Sequence, residues 1–501
     1  MTEQYLLDIK EKDEMSTLLA EIASTTHEYD FFNRGIPYDH LRQIIPGKNG
    51  LNAVNVPSNS LCVVYSVGGN PEEMDIERYS ESVVENVFCA GKLIGSHVAG
   101  MSDIIDASRT DEGLVRIVGE SIARAARRLR VPILNGELAN LGKRVNCDCN
   151  ITGTGISFIS RDSPFINEVP GVFCVEDENG ENIWYAVFDP KGKLVIINSD
   201  GIGTKTEFYE RFEKFEEGVL DFFAMNLDDC VKIGATPQVV SGLVEYDGNI
   251  PVYSIRDRAF FVAKKMQILS IMQGKNVKNR LKGYVSTYNI SGSVVSTIDD
   301  ARLKDLPKPN PGDYLVAIRG KPNPRSNGIT VKREIMEKLF GKHWHMEDAG
   351  KVFGEFLAEP STVFYPVFKE LLDNGFATSV YHMSGGAYDG KLARPFARHG
   401  LYVEIGKKDE QGFVEGGLFD PDWREVLMAA YSLSLRNAHA KWPMGNEAFV
   451  TCEDPERAKA VLTGRRYESR VVGRLEEAAQ GKTGVRFRAF NGEEVYFSGK
   501  D

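Results

Sequence analysis

Leu194-Val195-Ile196-Ile197-Asn198-Ser199-Asp200-Gly201-Ile202-Gly203-Thr204-Lys205 decides the reading of this chain. The apolar run predicts a strand, and an acid, two glycines and a lysine follow it at once. Glycine lets backbone N–H groups approach phosphate oxygens closely. Lys205 supplies a mobile point charge, and Asp200 an oxygen ligand for Mg2+. The stretch has a partner upstream. Leu61-Cys62-Val63-Val64-Tyr65-Ser66-Val67-Gly68-Gly69 matches Leu194 to Ile202, with Val67 where Asp200 stands. A second match follows in the same order: Asn150 to Ile159 (NITGTGISFI) resembles Asn289 to Ile298 (NISGSVVSTI). Between the matched strands each half holds two helical patterns. Such a repeat predicts a duplicated domain, strand–helix–helix–strand, over residues 51–165 and 166–300.

The helical patterns are specific. Leu114, Val118, Ile122, Ala125 and Leu129 share one face, with Thr110 as the expected N-cap. Val219 to Ile233 is apolar nearly all round, which predicts a buried helix stopped at Gly234. Pro307 to Gly312 reads as a stiff linker that opens a third region, 301–501. There, strand-like runs (Tyr314 to Ile318, Ala448 to Thr451) alternate with helical ones (Val331 to Leu339, Val363 to Leu372, Pro455 to Leu462). The fold class expected is α/β (α+β). Residues 1–50 form an extension with a helical pattern at Met15 to Ile22 and no assigned chemistry.

The 501 residues are too many for one ordinary core. The net charge of −11 argues against a nucleic-acid binder, which needs basic excess. No run of eighteen apolar residues and no signal peptide is visible, so a cytoplasmic protein is expected, without a membrane partner. Seven cysteines suit free thiols in a reducing compartment. Cys147 and Cys149 read as buried thiols rather than a zinc site.

Four further segments carry chemistry. Asp228 and Asp229 lie within the apolar helix, where an ionised carboxylate costs several kcal/mol, ~3 or more, unless it is paired. Mg2+ held with nucleotide phosphates would pair it, and Asp229 is the favoured ligand. Asn135-Gly136-Glu137-Leu138-Ala139-Asn140 follows the apolar Val131 to Leu134, so Glu137 can face metal or substrate. Pro324-Arg325-Ser326-Asn327-Gly328 precedes a helical run, a natural place for an anion or an ordinary N-cap. His382-Met383-Ser384-Gly385-Gly386-Ala387 is a glycine turn headed by histidine. Gly385 to Leu392 nearly matches a P-loop, but Leu392 stands where Ser or Thr should bind metal.

Taken in order, these motifs, with Asp228 to Pro237 and Leu357-Ala358-Glu359-Pro360-Ser361, resemble the AIR synthase (phosphoribosylformylglycinamidine cyclo-ligase) family. The resemblance covers about 190–500 and part of the first repeat. It implies an ATP-dependent ligase of purine synthesis acting on formylglycinamidine ribonucleotide, with ATP and Mg2+. Family members pair two N-terminal domains into a barrel. This chain, by that resemblance, carries its own dimer as an internal pseudo-dimer, with one surviving site built from both halves. Asp200, Asp229 and Glu137 would hold Mg2+. Ser199, Gly201, Gly203, Thr204, Lys205 and Asp228 would surround the nucleotide. Ser326, Asn327 and Gly328 would meet the ribose phosphate or a nearby anion, and His382, Gly385 and Gly386 would line the substrate pocket. The chain departs from the family at Asn135, Leu138, Asn140, Arg325 and Trp442 to Met444. Two other readings stand beside the ligase: another ATP-dependent kinase or synthetase of the superfamily, and a nucleotide-binding protein without catalysis.

Overall fold

Both matched halves become six-stranded sheets with the same strand order. The computed structural model describes residues 2–27, 44–46, 52–70, 75–142, 145–277, 281 and 287–500. It falls into two compact units: residues 3–210 with 235–305, and residues 211–234 with 306–501.

In the first unit, α1 (Thr2–Ser24), β1 (Ile44–Pro46) and β2 (Asn52–Val54) precede the first repeat. That repeat runs β3 (Ser60–Gly68), α2 (Ile76–Leu93), β4 (His97–Ala107), α3 (Glu112–Leu129), β5 (Ile133–Asn140) and β6 (Cys149–Ser160). A hairpin, β7 (Gly171–Glu176) and β8 (Asn182–Phe188), leads to the second repeat. Its β9 (Leu194–Gly201) is followed by α4 (Thr206–Arg211) and α5 (Gly218–Val231), the latter part of the second unit. It then continues with β10 (Thr236–Tyr246), α6 (Val252–Lys265), β11 (Leu269–Asn276), β12 (Tyr288–Ile298) and α7 (Asp300–Lys304).

Among the described residues the sheets read β7-β8-β3-β6-β4-β5 and β1-β2-β9-β12-β10-β11. Each repeat is therefore β-α-β-α-β-β in pattern, not strand–helix–helix–strand. Strand β4 escapes a simple reading because ten of its eleven residues are buried. A strand covered on both faces loses the two-residue alternation that reveals a half-buried one. The hairpins are exchanged. Residues 171–188 join the first repeat's sheet through β8 and β3, although they follow residue 165, and β2 pairs with β9. Helix α3 also begins one residue later than expected. Asp111, not Thr110, is the N-cap, its carboxylate accepting from the Leu114 N–H at 3.1 Å.

The two sheets pack face to face. Val54, Cys62, Val64, Ile156 and Phe158 pack there against Val195, Ile197, Val239 and Val295. Burying each such side chain contributes about 1.5–3 kcal/mol. On the outer face of the first sheet, α2 and α3 cover Val63, Met101 and Ile105, and Met15, Leu18 and Leu19 of α1 pack against that layer.

The second unit holds α5, β13 (Tyr314–Arg319), α8 (Ile329–Phe340), α9 (Asp348–Leu357), α10 (Tyr365–Asp373), β14 (Ser379–His382), α11 (Arg394–Arg398) and β15 (Leu401–Glu404). It ends with α12 (Trp423–Ser432), α13 (Leu435–His439), β16 (Ala448–Cys452), α14 (Pro455–Gly464), β17 (Glu468–Arg474), β18 (Glu476–Glu477), β19 (Gly484–Arg488) and β20 (Glu494–Phe497). Its sheets are β14-β16-β13-β17 and β18-β15-β19-β20. The expected alternation of strands and helices is present. No helix among the described residues is long and apolar enough to cross a membrane.

Candidate functional site

The first unit has two matching ends, related by the register of its strands. Asp106 pairs with Asn150 and Glu245 with Asn289. Each asparagine then donates to the other repeat's acid, Asn150 Nδ2 to Glu245 at 2.6 Å and Asn289 Nδ2 to Asp106 at 2.6 Å. The serines repeat the pattern: Ser66 meets Ser241 at 2.7 Å, and Ser199 meets Ser102 at 2.5 Å. Thr152 and Ser291, matched in sequence, meet each other at 2.9 Å. Residue i touches j and the equivalent of j touches the equivalent of i, the rule of a two-fold interface. The pairing that the sequence match implied is thus made within one chain.

That symmetry locates Glu137. It pairs with Ile104, which faces Thr152, whereas Gln273 pairs with Leu243, which faces Ser291. Glu137 and Gln273 are therefore equivalent, as are Ala139 and Lys275. Gln273 Nε2 donates to the Ser66 carbonyl at 2.7 Å. Glu137 accordingly sits level with Ser199, the equivalent of Ser66. Asn135, two residues before it, donates to the Ile197 carbonyl at 3.1 Å. Glu137 and the loop after β9 thus lie at the same end of the paired sheets.

At this end Asp200 is half-buried, and its carboxylate accepts from the Gly201 N–H at 2.7 Å. Gly203 has φ +58°, which glycine adopts without strain. Lys205 is fully buried, its ammonium 5.3 Å from the centre of the Tyr209 ring. Next to Glu137, Asp103 Oδ1 lies where a side chain on Gly136 would begin. Burial pushes the Asp103 carboxyl up to about 7, against the pull of its own N–H.

The other end is closed. Lys275 Nζ donates to the Gly68 carbonyl at 3.3 Å, and Asn86 Nδ2 to the same oxygen at 2.8 Å. The Lys275 side chain packs within 3.1 Å of where a Gly68 Cβ would stand. Ala139 stands at the position equivalent to Lys275 at the end with Asp200.

The second unit gathers the remaining predicted residues. Asp228 is fully buried and pairs with Arg325 Nη2 at 3.2 Å. The Arg325 guanidinium also bonds Glu447 at 3.0 Å, the Thr362 carbonyl at 2.8 Å and His382 Nδ1 at 3.1 Å. His382 Nε2 meets Asp229 Oδ1 at 2.8 Å. Lys232 is bonded to the same oxygen, and Lys391 lies 4.0 Å away. Burial pushes Asp228 up to about 7 despite Arg325, whose charge Glu447 shares. Burial also opposes the Asp229 charge, but Lys232, Lys391 and His382 hold that carboxyl well below its usual range. Burial takes His382 down to about 3, so the ring is neutral. The counter-charge that the sequence argument assigned to Mg2+ is met here by basic side chains.

Ser326 donates to Asp221 at 2.9 Å, and Ser361 bonds the same carboxylate. Gly328, with φ +57°, is required because the Trp442 indole nitrogen occupies the space of its side chain. Asn327 is buried, and among the described residues its Nδ2 has no partner. Its Oδ1 lies 3.8 Å from the Cβ position of Gly385. Gly386 turns with φ +84°. A cleft opens beside these loops, lined by Arg319, Lys321, Asn323, Asp422, Glu425 and Glu447. None of the residues proposed from sequence lines it.

Sequence reasoning missed Asp221, Gln273, Lys275 and Glu447, and took Arg325 only as a departure. Asp221 had a signal: it lies seven residues before Asp228, on the same face of an apolar helix.

Residues 77–157, within the first repeat, match the family described as "AIR synthase related protein, N-terminal domain". A phosphoribosylformylglycinamidine cyclo-ligase of Thermococcus kodakarensis is 25% identical over 202 residues, 40% of this chain and 59% of that protein. The chain thus spans about three-fifths (59%) of that relative's length. The protein of the same name from Pyrococcus horikoshii is 25% identical over 293 residues, 58% of this chain and 81% of its own. Among solved structures, a thiamine-monophosphate kinase from Stenotrophomonas maltophilia K279a has a TM-score of 0.42 at 12% identity, covering 62% of this chain and 89% of that one.

Proposed function

We propose that the protein is an ATP-dependent cyclo-ligase converting formylglycinamidine ribonucleotide to aminoimidazole ribonucleotide, with ADP and phosphate. The observation that carries the proposal is the pair of unequal ends in the first unit. One end combines a glycine loop, an acid from each repeat and a small residue, Ala139, where its counterpart is filled by lysine. In this reaction the substrate's formamide oxygen takes the γ-phosphoryl group of ATP. The amidine-side nitrogen then attacks the activated carbon, and phosphate leaves. Enzymes of phosphoryl transfer work mainly by positioning and charge neutralisation.

Ser199 to Lys205 is assigned to the nucleotide phosphates, with Lys205 as the counter-charge. Two carboxylates with phosphate oxygens suit Mg2+, and Asp200 and Glu137 at one end of the sheets fit that need. Mg2+ would neutralise phosphate charge there. Asp229 is assigned, within its own unit, as a carboxylate that takes a cation, with Asp228 holding Arg325 behind it. Ser326, Asn327 and Gly328 are assigned to the substrate's anionic end, Asn327 through its unpaired amide. His382, Gly385 and Gly386 are assigned to the substrate pocket. A soluble enzyme of the cytoplasm follows from this reading. So does one working nucleotide site per chain.

The test is incubation with formylglycinamidine ribonucleotide and Mg-ATP, followed for ADP and the aminoimidazole product. Product supports the proposal. ATP turnover only with another small molecule would make the protein a different kinase or synthetase of this class. Nucleotide binding without turnover would make it a non-catalytic homologue.

A further inference from the structure

Helices α3 and α6 hold equivalent places in the two repeats, each joining a pair of parallel strands. They also end alike. The Val131 N–H closes on the Ala126 carbonyl at 2.9 Å, and the Ile268 N–H on the Ala263 carbonyl at 3.1 Å. Arg130 and Gln267, one residue earlier, are both left-handed, with φ 57° and 59°. Ala126 thus matches Ala263, and with it Gly119 matches Arg256, Ala123 matches Phe260 and Arg124 matches Phe261. The outer faces of the two helices differ. On α3, Leu19 and Ile22 of α1 lie over Gly119, Ala123 is buried, and Arg124 pairs with Glu77 and Glu81 at 2.9 and 2.6 Å. On α6, Phe260 and Phe261 are 59% and 49% exposed, and Tyr253, two turns earlier, is 79% exposed. Asp257 and Lys264 are exposed as well. Asp257, Phe260, Phe261 and Lys264 recur at helical spacing, so they share one face.

We infer that this face of α6 docks against α6 of a second copy of the chain, antiparallel about a two-fold axis between positions 260 and 261. In that arrangement the face is self-complementary. Phe260 of each copy lies opposite Phe261 of the other, and Asp257 opposite Lys264, so two equivalent ion pairs flank the phenyl rings. Parallel helices would instead set Asp257 against Asp257 and Lys264 against Lys264. The rings supply the apolar area that leaves water, and the charges fix direction and register. Lys264 and Lys265 already lie 6.0 and 4.2 Å from the ring centres of Phe260 and Phe261, which holds a cation beside each ring. A contact of one helix pair falls below the roughly 1,200–2,000 Å2 of stable complexes, so the dimer is weak and reversible.

Analytical ultracentrifugation of the full chain, from micromolar to submillimolar concentration, tests it. The wild type should pass reversibly from monomer to dimer. Phe260→Ser should weaken dimerisation about ten-fold or more, the scale of losing an aromatic anchor at an interface. Asp257→Lys and Lys264→Asp should each be monomeric over the same range, because every cross-pair then joins like charges. Mixed in equal amounts, these two variants should dimerise again, since lysines of one chain then face aspartates of the other. All three positions are exposed, so the variants should keep the wild-type unfolding midpoint. A wild type that stays monomeric overturns the inference, including one that instead binds vesicles of phosphatidylcholine and phosphatidylserine through Phe260. A dimer unmoved by either charge reversal, or one that the mixture fails to restore, overturns it too.

Discussion

The two ends of the first unit are built on one register and reach opposite outcomes. At one, Gln273 and Lys275 of the second repeat tie down the end of β3 by hydrogen bonds of 2.7 Å to the Ser66 carbonyl and 3.3 Å to the Gly68 carbonyl. At the other, the equivalent positions hold Asp200 and Gly201 on one repeat and Glu137 and Ala139 on the other. Both partners differ between the two ends. The closed end has Val67 in place of an acid, with an amide and an ammonium opposite it. The contrast teaches that one register can carry two differently furnished ends while the interface between the halves stays symmetric. Asn150, Asn289, Asp106 and Glu245 still clasp the halves symmetrically.

The largest expected effect separates the ends by activity. Asp200→Asn and Lys205→Met should each lower ATP turnover by about 10^2–10^3-fold, the scale of losing one preorganised charge contact in phosphoryl transfer. Val67→Ala, at the closed end, should leave turnover unchanged. Equal loss at both ends would erase the distinction.

A second effect follows pH. Asp103 in the first repeat corresponds to Gly242 in the second, so only one half carries this buried carboxyl. Its pKa is raised to about 7, so its contribution to stability is full below the unfolded value near 4. It is lost as pH rises through about 7. Asp103→Asn should flatten that part of the stability profile, and at pH 8 should stabilise the protein by on the order of 1–3 kcal/mol. Urea unfolding across pH 4–8 measures it, and an unchanged slope would show that Asp103 titrates normally.

Smaller changes test the clasp. Asn289→Leu takes a donor from Asp106 and should cost about 1–3 kcal/mol of unfolding free energy. Asn150→Leu should cost a similar amount, although Glu245 keeps Thr152 as a donor at 3.1 Å. A clasp in which only one asparagine matters would not be symmetric. The smallest effect belongs to Lys275→Met. It removes one hydrogen bond to Gly68, about 1 kcal/mol, and should leave the nucleotide count per chain unaltered.

Much of this was legible in the sequence, because the informative signals are local. A glycine loop after an apolar strand, and its altered copy, lie within a dozen residues each. The matched NIT and NIS segments place Asn150 and Asn289, which turn out to lock the interface. What could not be read depends on distant pairing. Strand β4 hides because both faces are covered. The exchanged hairpins follow from edges that only the assembled sheets present. Lys275 looks like an ordinary surface lysine until the register sets it against Gly68. Arg325 needs Asp228, Glu447 and His382, which are spread over more than two hundred residues, to explain why a guanidinium is buried.

Native mass spectrometry of the intact protein titrated with Mg-ATP tests the central claim most directly. The account predicts one nucleotide per chain, lost in Asp200→Asn and retained in Val67→Ala. Two equivalent nucleotides per chain, or one that survives Asp200→Asn, would contradict it.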